Sequence, residues 1–238
     1  MINIIDVSHQ PRLCDGVHLK RFKGCYRLIA FIAKLDRNNK PYWVIKLSDI
    51  HSSVTAYMFS VPEKIIDLHH GAMIQCEMCV KRYKNRKYLH LIYIEKASDK
   101  LTLDKCDLDS LPSALCPKKQ LLHAFCTLVN CIKSTELRDF IAQVLIPSRI
   151  CLGFIQAPAS LNHHHNCPGG LIAHSVEVAQ IVSTMPWQDD DHRDLAITAA
   201  LLHDIGKVKT LSAQHKRTNV GQWVNLCDAA MKSDASNI

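Results

Sequence analysis

Histidines and acids capable of holding a metal gather between Asn162 and Lys207. The stretch contains Asn162-His163-His164-His165, then Pro168-Gly169-Gly170-Leu171-Ile172-Ala173-His174, then Leu201-Leu202-His203-Asp204-Ile205-Gly206-Lys207. Imidazole and carboxylate are the side chains that bind divalent ions near neutral pH. Asp204 follows His203 at the end of an apolar run, where a carboxylate with no partner would be costly to bury. A bound cation removes that cost. His174 alone reads as a satisfied core histidine. His174 with the His203-Asp204 pair and the upstream histidines points to a metal cluster instead.

Helices must position these groups. From Lys118 the apolar period is helical, with Leu121, Leu122, Phe125, Leu128, Val129 and Ile132 in one stripe. Ser134-Thr135-Glu136 can cap a second helix carrying Leu137, Phe140, Ile141, Val144 and Leu145, which Pro147 ends. Residues 150–170 read as a loop or short helices. A helix from about Leu171 carries His174 in its first turns and turns Val178, Ile181 and Val182 inward, until Pro186 stops it. Asp191 to Asp204 forms the next helix, with Leu195, Ala199 and Leu202 as its buried side and Gly206 as its release. Antiparallel packing of these two helices brings His174, His203 and Asp204 to one end of a bundle. His163 reads as a bystander, and Asp194 and His215 as surface groups.

The N-terminal third is strand-like. Tyr26–Leu35 is rich in strand formers, Asp36-Arg37-Asn38-Asn39-Lys40-Pro41 is a turn, and Tyr42–Leu47 returns as a second strand. Further strands are expected at Ser53–Phe59, Ala72–Val80 and Lys87–Glu95, with a short helix at Val61–Leu68. That order is the order of a five-stranded OB-fold barrel. OB-folds bind single strands with the loops after strands one and four. The loop after strand four holds Lys81, Arg82, Tyr83, Lys84, Arg86, Lys87 and Tyr88, which combine phosphate contacts with stacking surfaces. The first loop reads on its own as a solvated basic hairpin. Cys76 and Cys79 lie in one strand on opposite faces, and His69-His70 sit in a loop, so neither pair makes a site.

Length and composition set the frame. The 238 residues suit one or two domains. The expected division is a nucleic-acid-binding domain over 1–100, a linker over 101–117 and a helical metal-binding domain over 118–238. A net charge of +7 favours polyanionic partners. Met1-Ile2-Asn3-Ile4-Ile5-Asp6 lacks the basic start of a secretory signal. The 11 cysteines therefore read as reduced, buried thiols of a cytoplasmic protein. No apolar run is long enough to span a membrane.

The series resembles the HD superfamily of metal-dependent phosphohydrolases, through His174 in Gly-Leu-Ile-Ala-His-Ser and His203-Asp204 in Leu-Leu-His-Asp-Ile-Gly-Lys. It is most similar to the YhaM-type 3′–5′ exoribonuclease group, in which an OB-fold precedes the HD domain and a histidine pair precedes the first ligand. The resemblance implies a multidomain α and β chain, an OB-fold followed by an all-α HD-type domain. It implies His174, His203 and Asp204 as ligands of Mn²⁺ or Mg²⁺, and a substrate of single-stranded RNA or DNA, RNA favoured. It places His164 and His165 where the histidine pair stands, as a further ligand or a phosphate contact. Lys207 can neutralise charge on a phosphate, or answer a helix dipole.

HD enzymes complete the site with a later aspartate. Asp228 and Asp234 are the candidates, neither in a recognisable motif. The expectation is a helical domain lacking its last helices, with exposed apolar surface that invites homo-oligomers. Two other functions stay open on sequence: a strand-binding protein with a degenerate HD domain, and a relaxase-like HD protein of conjugative elements.

Overall fold

The computed structural model describes residues 10–60, 68–97, 108–213 and 223–225. The helix expected at Val61–Leu68 falls outside them but for Leu68, as do His215, Asp228 and Asp234. The chain divides into two compact units, Met1–Ala114 with Ile146–Ser148, and Leu115–Leu145 with Arg149–Ile238.

The first unit is a closed barrel of β1 (Arg21–Leu35), β2 (Pro41–Ser48), β3 (Ser53–Met58), β4 (Met73–Tyr83) and β5 (Arg86–Lys96). The strand order is β1-β2-β3-β5-β4, with β3 and β5 parallel and every other pair antiparallel. This is the OB-fold. Alternation builds it: Leu89 and Leu91 point into the core while Tyr88 and His90 point out. Phe22, Tyr26, Leu28, Ile45, Leu47, Ile74 and Met78 fill the interior. A register shift between Leu28 and Ala30 bends β1, which pairs with β4 over Arg21–Arg27 and with β2 over Arg27–Leu35.

One expectation needs correction. Lys81–Tyr88 is not an open loop. It is the paired ends of β4 and β5, joined at Lys84 and Asn85, whose φ values are 45° and 62°. Two consecutive left-handed residues make the tight turn that suits a twisted hairpin, and asparagine tolerates it best. Residues 108–114, within the stretch expected to link the domains, pack on the barrel. Ile50 N donates to Asp109 O, and Ser113 N and Oγ both donate to Asp49 O.

The second unit holds α1 (Lys119–Asn130), α2 (Thr135–Leu145), α3 (Ser148–Gln156), α4 (Gly170–Thr184), α5 (Asp190–Leu202) and α6 (Lys207–Thr210). A short antiparallel pair follows, β6 (Leu211–Ala213) with β7 (Trp223–Asn225). The helix α4 packs against both α5 and α1, and Phe125 meets Phe154 edge to face. Ser134 caps α2 as expected, accepting from Leu137 N.

Two helix faces differ from expectation. On α5, Leu195 is 59% exposed, and the buried side is Asp194, Ile197, Thr198 and Leu201. On α4, Ile181 is exposed, and Ile172, Ser175, Val176 and Ala179 are buried. The α4 sequence and the part of α5 from Leu195 to Leu202 are apolar nearly all round, so the period alone did not fix the face. Asp194 is no surface group: its Oδ2 accepts from Lys133 N and Ser134 N and ties the start of α2 to α5. Phe140 of α2 also lies outside. Among the described cysteines, Cys14 and Cys131 are exposed rather than buried, because each sits in a surface turn.

Candidate metal centre and strand-binding groove

His174 lies in the second turn of α4. His203 caps the C-terminal end of α5, and Asp204 stands in the turn beyond it. The helix ends at Leu202, two residues earlier than expected, which frees the His203 and Asp204 side chains to turn toward α4. His174 Nε2 and His203 Nε2 are 3.2 Å apart. Asp204 Oδ2 is 3.5 Å from the first and 3.4 Å from the second. A triangle of these sides has its centre about 2 Å from every corner, the length of a bond from nitrogen or oxygen to a divalent ion.

The hydrogen bonds around the triangle prepare it for a cation. His203 Nδ1 is 2.9 Å from Ala200 O, so the ring donates there and keeps the Nε2 lone pair toward the centre. This is the arrangement of a metal-ligating histidine, whose other nitrogen is anchored by a carbonyl or carboxylate. Burial, then the neighbouring His203, lowers the pKa of His174 below its ordinary value and favours the neutral, ligating form. Two neutral imidazole nitrogens and a carboxylate oxygen aimed at one point repel each other unless a positive species sits between them. A proton can bridge one pair; a divalent ion satisfies all three. The residues present therefore fit a metal. Lys207 opens α6 and places Nζ 2.6 Å from Asp204 Oδ2.

The sequence of this region carries a family match. Residues 171–224 match the HD domain. The helical unit contains an HD domain. Over 181 residues, 74% of this chain and 55% of the relative, the chain is 26% identical to the 3′–5′ exoribonuclease YhaM of Bacillus licheniformis. Over 180 residues it is 25% identical to YhaM of Bacillus subtilis, again covering 74% of this chain and 55% of the relative. The chain thus spans about half the length of the curated relatives it matches. Among solved structures, it is similar to PriB from Ralstonia solanacearum, at 15% identity and a TM-score of 0.27, covering 34% of this chain and 99% of that one. It is similar also to the mitochondrial single-stranded DNA binding protein Rim1 from S. cerevisiae, at 13% identity and a TM-score of 0.28, covering 33% of this chain and 93% of that one. The barrel assignment rests on its own strand order.

The loop before the HD domain brings one of its histidines close. The His165 ring centre is 5.6 Å from that of His174, and His165 Nε2 is 3.0 Å from Glu177 Oε2. His164 is exposed, and its carbonyl accepts from Ser160 Oγ. His163 is exposed too. Glu177 was not singled out in the sequence. Its signal was the spacing His174-x-x-Glu177, which sets both on one helix face.

On the barrel, the β1–β2 turn and the β4–β5 hairpin meet. Asp36, Arg37 and Asn38 from the β1–β2 turn line a groove of about 900 Å³ together with Tyr57, Phe59, Tyr83, Lys84, Arg86 and Tyr88. Phe59 stacks with Tyr42 at 5.6 Å and with His90 at 5.7 Å, and Tyr57 meets Tyr88 edge to face. Lys81, Arg82 and Lys87 are exposed along the same hairpin without lining the groove. Asp36 shapes the turn: its Oδ1 accepts from Asn38 N and Lys40 N. The sequence offered Tyr83, Lys84, Arg86 and Tyr88, but not Tyr57 or Phe59. Phe59 stands just past the end of β3 and Tyr57 within it, where an aromatic is an ordinary strand former.

No single described helix is long and apolar enough to cross a membrane.

Proposed function

We propose that the chain carries out metal-dependent phosphodiester hydrolysis on single-stranded nucleic acid, with RNA as the favoured substrate and the 3′ end as the point of attack. The observation that carries it is the convergence of His174 Nε2, His203 Nε2 and Asp204 Oδ2 on one point. An HD domain supports hydrolysis at phosphorus, and the similarity to YhaM supports a 3′ exonuclease.

His174, His203 and Asp204 would hold a divalent ion such as Mn²⁺ or Mg²⁺, which would supply Lewis-acid polarisation of the phosphoryl oxygen and a lowered water pKa. Lys207 carries a positive charge beside Asp204 and stabilises the charge that develops on the phosphate. In the barrel, Arg37, Lys84 and Arg86 pair with backbone phosphates, and Tyr83 and Tyr88 give stacking faces to bases. Stacking and charge read no particular base, which suits an enzyme that removes nucleotides without regard to sequence.

The test is a 5′-labelled RNA oligonucleotide incubated with the protein and Mn²⁺. A ladder of products shortened from the 3′ end is expected, abolished in Asp204→Ala. Strand binding without shortening would reject hydrolysis in favour of a binding module. A single cut at one sequence would favour the relaxase-like reading.

A further inference from the structure

His165 stands one layer outside the three ligands. Donors on one ion lie at most roughly 4.2 Å apart, twice a bond of about 2.1 Å. Among the described residues, the only set of three or more histidine, cysteine or acidic groups whose ligand atoms all lie within 4.8 Å of one another is His174, His203 and Asp204. His165 is outside that set, yet its ring is 5.6 Å from His174.

The loop is built to keep the ring there. His165 has φ 61°, a left-handed conformation that is uncommon for a residue with a Cβ. Its carbonyl is fixed by Ala159 N at 2.9 Å. A Cβ on Gly170 would lie 1.9 Å from that carbonyl oxygen, so only glycine allows α4 to start against it. The ring itself is fixed by Glu177, whose Oε2 is 3.0 Å from His165 Nε2. A carboxylate that takes one imidazole N–H determines which nitrogen keeps a lone pair. In the neutral ring, Nε2–H donates to Glu177, and Nδ1 is left as an acceptor.

We propose that Glu177 is a positioning residue. It fixes the His165 tautomer so that Nδ1 accepts a hydrogen bond from a water beside the His174–His203–Asp204 triad. The role of that water, attack on phosphorus, rests on the hydrolase reading; the tautomer does not. A plain surface ion pair would leave the choice of nitrogen and the orientation of water unaffected.

The experiment is two-bond ¹H–¹⁵N NMR of the full chain with Mg²⁺, comparing wild type, Glu177→Gln and Glu177→Leu, with His165→Asn to assign the signal. Wild type is expected to show the Nε2–H tautomer. Glu177→Gln keeps it, because the amide oxygen still accepts, and Glu177→Leu gives a mixture. In the RNA assay, Glu177→Leu is expected to lower kcat roughly tenfold or more, with KM and Mn²⁺ affinity unchanged and most of the rate restored in Glu177→Gln. An unchanged tautomer in Glu177→Leu overturns the positioning role whether or not RNA is cleaved. Loss of Mn²⁺ binding in Glu177→Leu overturns it in favour of direct ligation. Absence of cleavage by wild type counts against the hydrolase reading alone, and the NMR result then decides the placement of His165.

Discussion

His174 Nε2 and His203 Nε2 face each other across 3.2 Å, although they come from different helices. A shared cation would join them, and Lys207 is placed to respond to it. Its ammonium sits 2.6 Å from the Asp204 oxygen that completes the triangle. A unit positive charge and a divalent ion about 4 Å apart in water repel by about 2 kcal/mol, a factor of about thirty in affinity. Lys207→Met is therefore expected to bind Mn²⁺ about thirtyfold more tightly while hydrolysing RNA more slowly. Titration calorimetry and the RNA assay check the two halves. Weaker binding in this variant would contradict the placement of Lys207 as a neighbouring charge.

The groove gives a separate prediction. Stacking contributes about 1–3 kcal/mol per base, so Tyr88→Ala is expected to weaken single-strand binding about tenfold. Arg86→Ala is expected to reduce the slope of log affinity against log salt by about 0.7, the loss of one single-strand phosphate contact. Fluorescence anisotropy of a labelled oligonucleotide over a salt series measures both. Neither substitution is expected to alter Mn²⁺ affinity.

Two buried features of the helical unit predict stability. Asp194→Ala leaves Lys133 N and Ser134 N without their acceptor, and is expected to cost about 2 kcal/mol. Gly170→Ala drives a Cβ into the His165 carbonyl, and is expected to cost more, about 3 kcal/mol. Urea unfolding checks the pair. A Gly170→Ala protein as stable as wild type would contradict the tight seating of the loop on α4.

His90 gives the barrel a pH dependence of definite sign. Burial, then the Lys81 charge, lowers its pKa below the ordinary 6.5. Below pH 6.5 the unfolded chain takes up this proton before the folded one does, so stability falls as pH falls. The loss runs from 6.5 down to the lowered folded value, and above 6.5 His90 adds no slope. The melting temperature of wild type is expected to drop more than that of His90→Phe between pH 7.5 and pH 5. Parallel curves for the two proteins would contradict the shift.

The barrel was legible in the sequence because outward Tyr88 and His90 alternate with inward Leu89 and Leu91, and such alternation has one reading. The basic hairpin was harder. Lysines and arginines at exposed strand ends look like a loop, and only the Lys84-Asn85 turn marks the true break. His174, His203 and Asp204 were legible because three metal-binding groups in a tight series leave few other readings, whereas Glu177 was one acid among many until His165 was seen beside it. The buried side of α5 was not legible. Leu195 and Leu201 are equally apolar, and Asp194, drawn inward to hold α2, decides which of them faces the core.

The most direct test is calorimetric titration of the metal-stripped chain with Mn²⁺, in wild type and in His174→Ala, His203→Ala and Asp204→Ala. One ion per chain in wild type, lost or weakened at least tenfold in each variant whose fold is intact by circular dichroism, is the expected result. Undiminished Mn²⁺ binding in all three variants, or none in wild type, would contradict the metal centre and the hydrolysis that depends on it.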